Sequence, residues 1–171
     1  MIDVPEPPPT IGDTRDLLTG YLDYYRSALL RKLDGLSEEG LRTSGVPSGW
    51  TPLELLKHLT HVEIRWLRWR FLGEDVPDLY DDRGPGGRRE DPWRVLPEVT
   101  FAEVREGFEA TAARSRQIVA DAALSDVSAR TDDEHPGTSL AWILFHLLQE
   151  YARHVGQLDV VRERFDGAVG E

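Results

Sequence analysis

Glu150 and His154 stand four residues apart near the end of a chain of 171 residues. On a helix that spacing leaves their side chains about 40° apart around the axis, so both can address one point. Leu147 lies one turn before the pair, and Leu158 and Val161 follow it, which sets the two residues on an apolar stripe facing inward. A third ligand-type residue, His58, stands between Leu55 and Val62 in another such stripe. Two imidazoles and a carboxylate are donors suited to a divalent metal ion, and helices are rigid enough to fix their geometry. Structural zinc sites are normally closed by four protein ligands, whereas three ligands leave a place for water or substrate. His, His and Glu is one of the known catalytic sets. The competing outcome is a metal-free buried ion pair of Glu150 with His154 or with a nearby arginine. By spacing alone it is the commoner of the two.

Two other histidines compete for roles. His146 lies one turn before Glu150 and reads as a packed or supporting histidine more than as a ligand. His61 is displaced by about 60° from His58, toward Arg65 and Arg68, which suits the edge of a cleft. The tryptophans, Trp66, Trp69 and Trp142 among them, read by default as core and rim packing.

The elements that must position these residues are helices. Asp13 is a candidate N-cap for a first long helix whose apolar positions are Leu18, Leu22, Tyr25, Leu29 and Leu33. Thr51, Pro52 and Glu54 spell a capping box with proline at the first helical position, opening a second helix. It should run through Leu55, Leu59, Val62, Trp66 and Trp69 and stop at Gly73. Thr100 and Glu103 form a second capping box, opening a third helix through Val104, Phe108, Thr111 and Ile118 to near Ala122. A fourth starts near Thr138 and carries Leu140, Ile143, Leu147, Tyr151, Leu158, Val161 and Phe165 on one face. The Pro-, Gly- and Asp-rich connection from Gly73 to Thr100 fits a crossover between parallel helices that also covers a site. An all-α four-helix bundle is expected over residues 10–167, preceded by a flexible, proline-rich lead over residues 1–9.

Composition removes several function classes. A formal charge of -11, with arginines interleaved among acids, disfavours nucleic acid as a partner. Without cysteine there is no disulfide, no thiolate metal site and no cysteine nucleophile. No P-loop, Rossmann glycine pattern or G-x-S-x-G element is present. The acidic, proline-rich amino terminus is unlike a secretory signal, and no apolar run suggests a membrane span, so a cytoplasmic location is expected.

The segment Gly49-Trp50-Thr51-Pro52-Leu53-Glu54-Leu55-Leu56-Lys57-His58-Leu59 resembles the start of the second helix in the DinB-like (YfiT-like) metalloenzyme superfamily. His146-Leu147-Leu148-Gln149-Glu150-Tyr151-Ala152-Arg153-His154-Val155-Gly156-Gln157-Leu158-Asp159 resembles that superfamily's last helix, where a ligand pair precedes a Gly-Gln step. Many members carry three histidines; Glu150 at the middle position is similar to the metal-binding domain of mycothiol-dependent maleylpyruvate isomerase. The resemblance spans roughly Asp13 to Phe165 and tips the balance from ion pair to metal site. It implies an up-down-down-up bundle with a long crossover between the second and third helices, and a divalent ion on His58, Glu150 and His154. Zn2+ is the first candidate for that ion, with Ni2+, Mn2+ or Fe2+ as alternatives. It further implies a thiol-dependent S-transferase or isomerase, with mycothiol as co-substrate and a small electrophile as its partner. His61, Arg65 or Arg153 would orient carboxylates. A non-enzymatic metal-binding stress or interaction protein is the alternative, and assembly as a homodimer stays open.

Overall fold

A computed structural model describes residues 4–77, 93–132 and 136–169. Most of the crossover expected between Gly73 and Thr100 therefore lies outside the described residues. Helix α1 spans Thr14–Asp34, α2 Glu38–Arg42, α3 Pro52–Glu63, α4 Phe101–Asp121 and α5 Leu140–Asp166. No strand occurs among the described residues, and no helix there is long and apolar enough to cross a membrane.

The helix starts follow local chemistry. Asp13 accepts from the Asp16 N–H at the head of α1, and the Thr51–Glu54 and Thr100–Glu103 capping boxes both close reciprocally. Ser139 caps α5, one residue later than expected, by accepting from Trp142 N–H. Helix α2, capped by Ser37, is an additional short element.

Beyond Glu63, α3 continues as a π-helical segment, Ile64–Phe71, ending at Gly73 in the left-handed conformation with φ 73°. The wider turn changes the phase of the stripe. Trp66, Leu67, Arg70 and Phe71 are buried, whereas Trp69, expected on the inward stripe, is only half-buried. The stretch after α4 serves the end of this segment. Ala129 and Arg130 donate backbone N–H groups to Phe71 O and Arg70 O, and the Arg130 guanidinium donates to Trp69 O, Gly73 O and Glu74 O. These bonds satisfy carbonyls that a helix end leaves unpaired.

Cross-helix contacts establish the topology. Arg116 pairs with Asp23 and Arg105 with Asp34, so α1 and α4 are antiparallel. Tyr151 lies against Arg26, and Asp159 pairs with Lys32, so α1 and α5 are parallel. His58 meets Glu150 and His154 while Trp66 meets Trp142, so α3 and α5 are antiparallel. Glu63 meets Ser115, and Lys57 and Thr60 border one cavity with Glu103 and Gly107, so α3 and α4 run parallel. This is the up-down-down-up arrangement.

The core runs along α5, where Leu140, Ile143, Leu147, Tyr151 and Leu158 are fully buried against leucines of α1 and α3. Phe165, expected on the same face, is largely exposed, with one ring edge close to Gly40 of α2. The proline-rich lead contributes contacts as well: Val4 N–H donates to Ser27 Oγ, and Pro7 sits against Gly20.

A polar node interrupts this core. The Glu63 carboxylate, 1% exposed, accepts from Arg26 Nε and Nη2 at 2.8 Å each and from Ser115 Oγ and Tyr151 Oη at 2.5 Å each. Burial alone would raise its pKa; Arg26, followed by Ser115 and Tyr151, overcomes that and holds it below the usual carboxylate value. Nearer the surface, burial opposes the Asp23 charge too, but Arg116 and Arg26 keep this carboxyl below its ordinary value.

Removing one side of a buried ion pair strands the other, so Glu63→Ala should destabilise the fold by about 3–5 kcal/mol. Ser115→Ala should cost about 1 kcal/mol. Both are read from urea unfolding curves. Because the folded pKa values of Glu63 and Asp23 lie below their unfolded ones, their contribution is complete above about pH 4 and is lost as pH falls through the folded values. The wild-type urea midpoint should accordingly drop on acidification, and Glu63→Ala should show a shallower drop.

Candidate metal centre

The antiparallel crossing of α3 and α5 puts His58, in the second turn after the Thr51 capping box, opposite Glu150 and His154. One ligand atom from each of the three lies within 4.8 Å of the others. Glu150 Oε2 is 3.3 Å from His154 Nε2 and 3.8 Å from His58 Nε2. The two imidazole rings are 4.9 Å apart and nearly perpendicular, at 76°. Their side chains are 15% (His58), 17% (Glu150) and 11% (His154) exposed, so the cluster is largely shielded yet reachable.

Hydrogen bonding gives the cluster its polarity. His154 Nδ1 is 2.9 Å from Gln157 Oε1. An amide oxygen can only accept, so Nδ1 carries a proton and Nε2 is the ring nitrogen that faces Glu150. His58 Nδ1 is buried and has no hydrogen-bond partner among the described residues. Burial lowers the His58 pKa, although Glu150 opposes the shift, and this favours the neutral, ligating form of the ring. The Glu150 carboxyl is held well below its usual range by His154 and then His58, against the effect of burial.

Two imidazole nitrogens facing one carboxylate are satisfied by a proton or a cation among them. The separations suit a cation. Two donors about 2.1 Å from a tetrahedral Zn2+ would be about 3.4 Å apart, close to the observed 3.3 Å and somewhat inside the 3.8 Å. No fourth imidazole or carboxylate joins the group among the described residues. The three expected ligands are thus brought together.

The other candidate residues divide. His146 lies outside the ligand group: its ring stacks on Trp142 at 5.1 Å and 6° and leans on Trp66 at 4.7 Å. It acts on Glu150 through charge, as one contributor to the depressed carboxyl pKa. His61 is half-buried one turn beyond His58, and the Arg65 guanidinium lies over the Trp66 ring at 5.1 Å. Arg153 is exposed beside His154.

Sequence reasoning missed two participants. Gln157 follows His154 by three residues, within one helical turn, a spacing that could have identified it. Trp93, on the described end of the crossover, stacks flat on His58 with ring centres 3.8 Å apart and planes at 9°, and meets His154 edge-on at 5.6 Å. The only available signal was an aromatic residue inside a connection read as covering a site.

The family model described as mycothiol-S-transferase matches residues 17–167, a span that includes all three donors. No curated protein matches the chain. Among solved structures, the chain resembles a conserved protein from Enterococcus faecalis at 17% identity and a TM-score of 0.65. The match covers 92% of this chain and 100% of that one, and it establishes a shared fold.

Purified protein supplied with Zn2+ should hold close to one ion per chain by elemental analysis. His58→Ala and His154→Ala should each lose most of it, whereas His61→Ala should keep it. Content far below one ion in the wild type would instead support the metal-free ion pair.

Proposed function

We infer the reaction from one established premise: this chain belongs to the mycothiol-S-transferase family. We propose that it joins a low-molecular-weight thiol, mycothiol first, to a small electrophile at a divalent metal centre. The observation that carries this reading is the convergence of His58, Glu150 and His154 in one three-member donor group.

His58 and His154 would hold the ion through ring nitrogens and Glu150 through a carboxylate oxygen, a donor set suited to Zn2+. When bound, such an ion lowers the pKa of a coordinated thiol and so supplies thiolate at neutral pH. The chain itself has no cysteine, so the nucleophilic sulfur must come from the co-substrate.

The protein's residues prepare that encounter. Gln157 fixes the His154 tautomer and aims Nε2 inward. Trp93 shields one side of the cluster from water. His61 and Arg65 follow His58 along one helix, Arg153 stands between Glu150 and His154 on α5, and all three are suited to orient substrate carboxylates. In the transfer, the thiol proton leaves to solvent, sulfur forms a bond to carbon, and the leaving group departs with its electron pair. With an unsaturated electrophile sulfur adds to one carbon and a proton returns to its neighbour; expulsion of the thiol from that adduct would give isomerisation.

An ordinary thiol is about 3% thiolate at pH 7, so losing the ionising site should slow thiol consumption by roughly 30-fold or more. The assay follows mycothiol consumption with a panel of electrophiles, with bacillithiol and glutathione as controls. It compares wild type, Glu150→Ala and His154→Ala under identical Zn2+ supply. Equal rates in all three proteins would overturn the mechanism.

A further inference from the structure

Trp93 stands in a segment without regular structure, and an indole there needs a surface to cover. The chain on its C-terminal side is tied down at several points. Lys57 Nζ donates to the carbonyl of Arg94, Val99 N–H donates to Leu96 O at 3.1 Å, and Arg42 Nη2 donates to Val99 O at 2.6 Å. Trp93 and Val95 pack against the core. These anchors deliver the indole face to His58, at 3.8 Å and 9°, and leave it edge-on to His154.

The two imidazoles are held in different ways. Gln157 orients His154 through Nδ1. His58 Nδ1 has no such partner among the described residues, although it is buried. A histidine ring without a hydrogen bond at its far nitrogen is free to rotate about its terminal torsion unless packing stops it. The only flat surface stacked on that ring among the described contacts is the indole of Trp93.

We propose that Trp93 is a positioning residue of the metal centre, its stacked indole fixing the His58 ring in place of the hydrogen bond that His58 lacks. This rests on the reading of His58, Glu150 and His154 as metal ligands. It assigns the described end of the crossover, Trp93 to Val99, to the site as a strap that carries one rigid aromatic wall. Only a flat ring can do this: a phenyl group supplies part of the face, an aliphatic side chain supplies volume without a plane, and a methyl supplies neither.

The test is Zn2+ affinity of the full chain by competition with a chromophoric chelator, for wild type, Trp93→Phe, Trp93→Leu and Trp93→Ala. Circular dichroism and thermal unfolding report whether each variant is folded. Support from an ordered neighbour of a ligand is typically worth 10- to 100-fold in metal affinity, so Trp93→Ala and Trp93→Leu should weaken binding by about 10-fold or more. Trp93→Phe should stay within about threefold of wild type. A second readout is tryptophan emission. Zn2+ should change it in the wild type, and Trp93→Phe should lose most of that change while still binding, since four of the five tryptophans remain. Wild-type affinity in a folded Trp93→Leu or Trp93→Ala, or an undiminished emission change in Trp93→Phe, overturns the proposal and leaves the metal centre standing. Failure of the wild type itself to bind Zn2+ overturns the metal reading and this proposal together.

Discussion

The fold depends on one buried carboxylate. Glu63 of α3 accepts hydrogen bonds from Arg26 of α1, Ser115 of α4 and Tyr151 of α5, so a single group ties together all four long helices. Each of its oxygens accepts two bonds, and its charge is matched by Arg26, 5% exposed. Such a pair adds little net stability compared with apolar packing, because desolvation offsets the attraction. What it restricts is register. A one-residue slip of any helix would leave a buried charge or hydroxyl unpaired, at a cost of several kcal/mol.

The donor cluster inherits that register. Glu63 follows His58 by five residues on α3, and Tyr151 follows Glu150 directly on α5. Fixing Glu63 against Tyr151 therefore fixes where His58 stands relative to Glu150 and His154. The node and the donors are consecutive layers of the same antiparallel contact, the first satisfied by protein hydrogen bonds alone. In the donor layer Gln157 and Trp93 contact the rings from outside, and the inward nitrogens face Glu150. The π-helical segment beginning immediately after Glu63 extends the contact in the other direction, toward Trp66, Trp142 and His146. Its widened turn brings Arg70 inside, where Asp132 at 2.5 Å and the faces of Trp66 and Trp69 accommodate the guanidinium.

How much of this was legible in the sequence follows from the range of each interaction. Caps act over three residues, and Asp13, Thr51 with Glu54, and Thr100 with Glu103 announced three of the four long helices correctly. Periodicity located the apolar faces and hence the three donors. Arg26 and Glu63 were passed over because hydropathy patterns treat charges as outward-facing, although Glu63 stands four residues after Leu59 and three before Trp66 on the inward stripe. The π-helical turn was invisible for a related reason: a fixed 3.6-residue period placed Trp69 inside, whereas the wider turn puts Arg70 there. Trp93 reaches His58 across 35 positions of chain, through contacts that no local pattern encodes.

The sequence left two readings of Glu150 and His154 open, and geometry bears on the choice. A simple ion pair would place a proton between an imidazole nitrogen and the carboxylate. Gln157 does not separate the two at His154, since its oxygen accepts the Nδ1 proton of the neutral ring and of the charged ring alike. Burial works against the ion pair at His58 by disfavouring the charged ring. Protonating both rings to serve one carboxylate would also leave the cluster with a net positive charge in a largely shielded space, a costly state. A divalent cation held by His58, Glu150 and His154 would meet the same constraints with both rings neutral. The proposed reaction would use the positive charge of such an ion, beside which a thiol sheds its proton most readily.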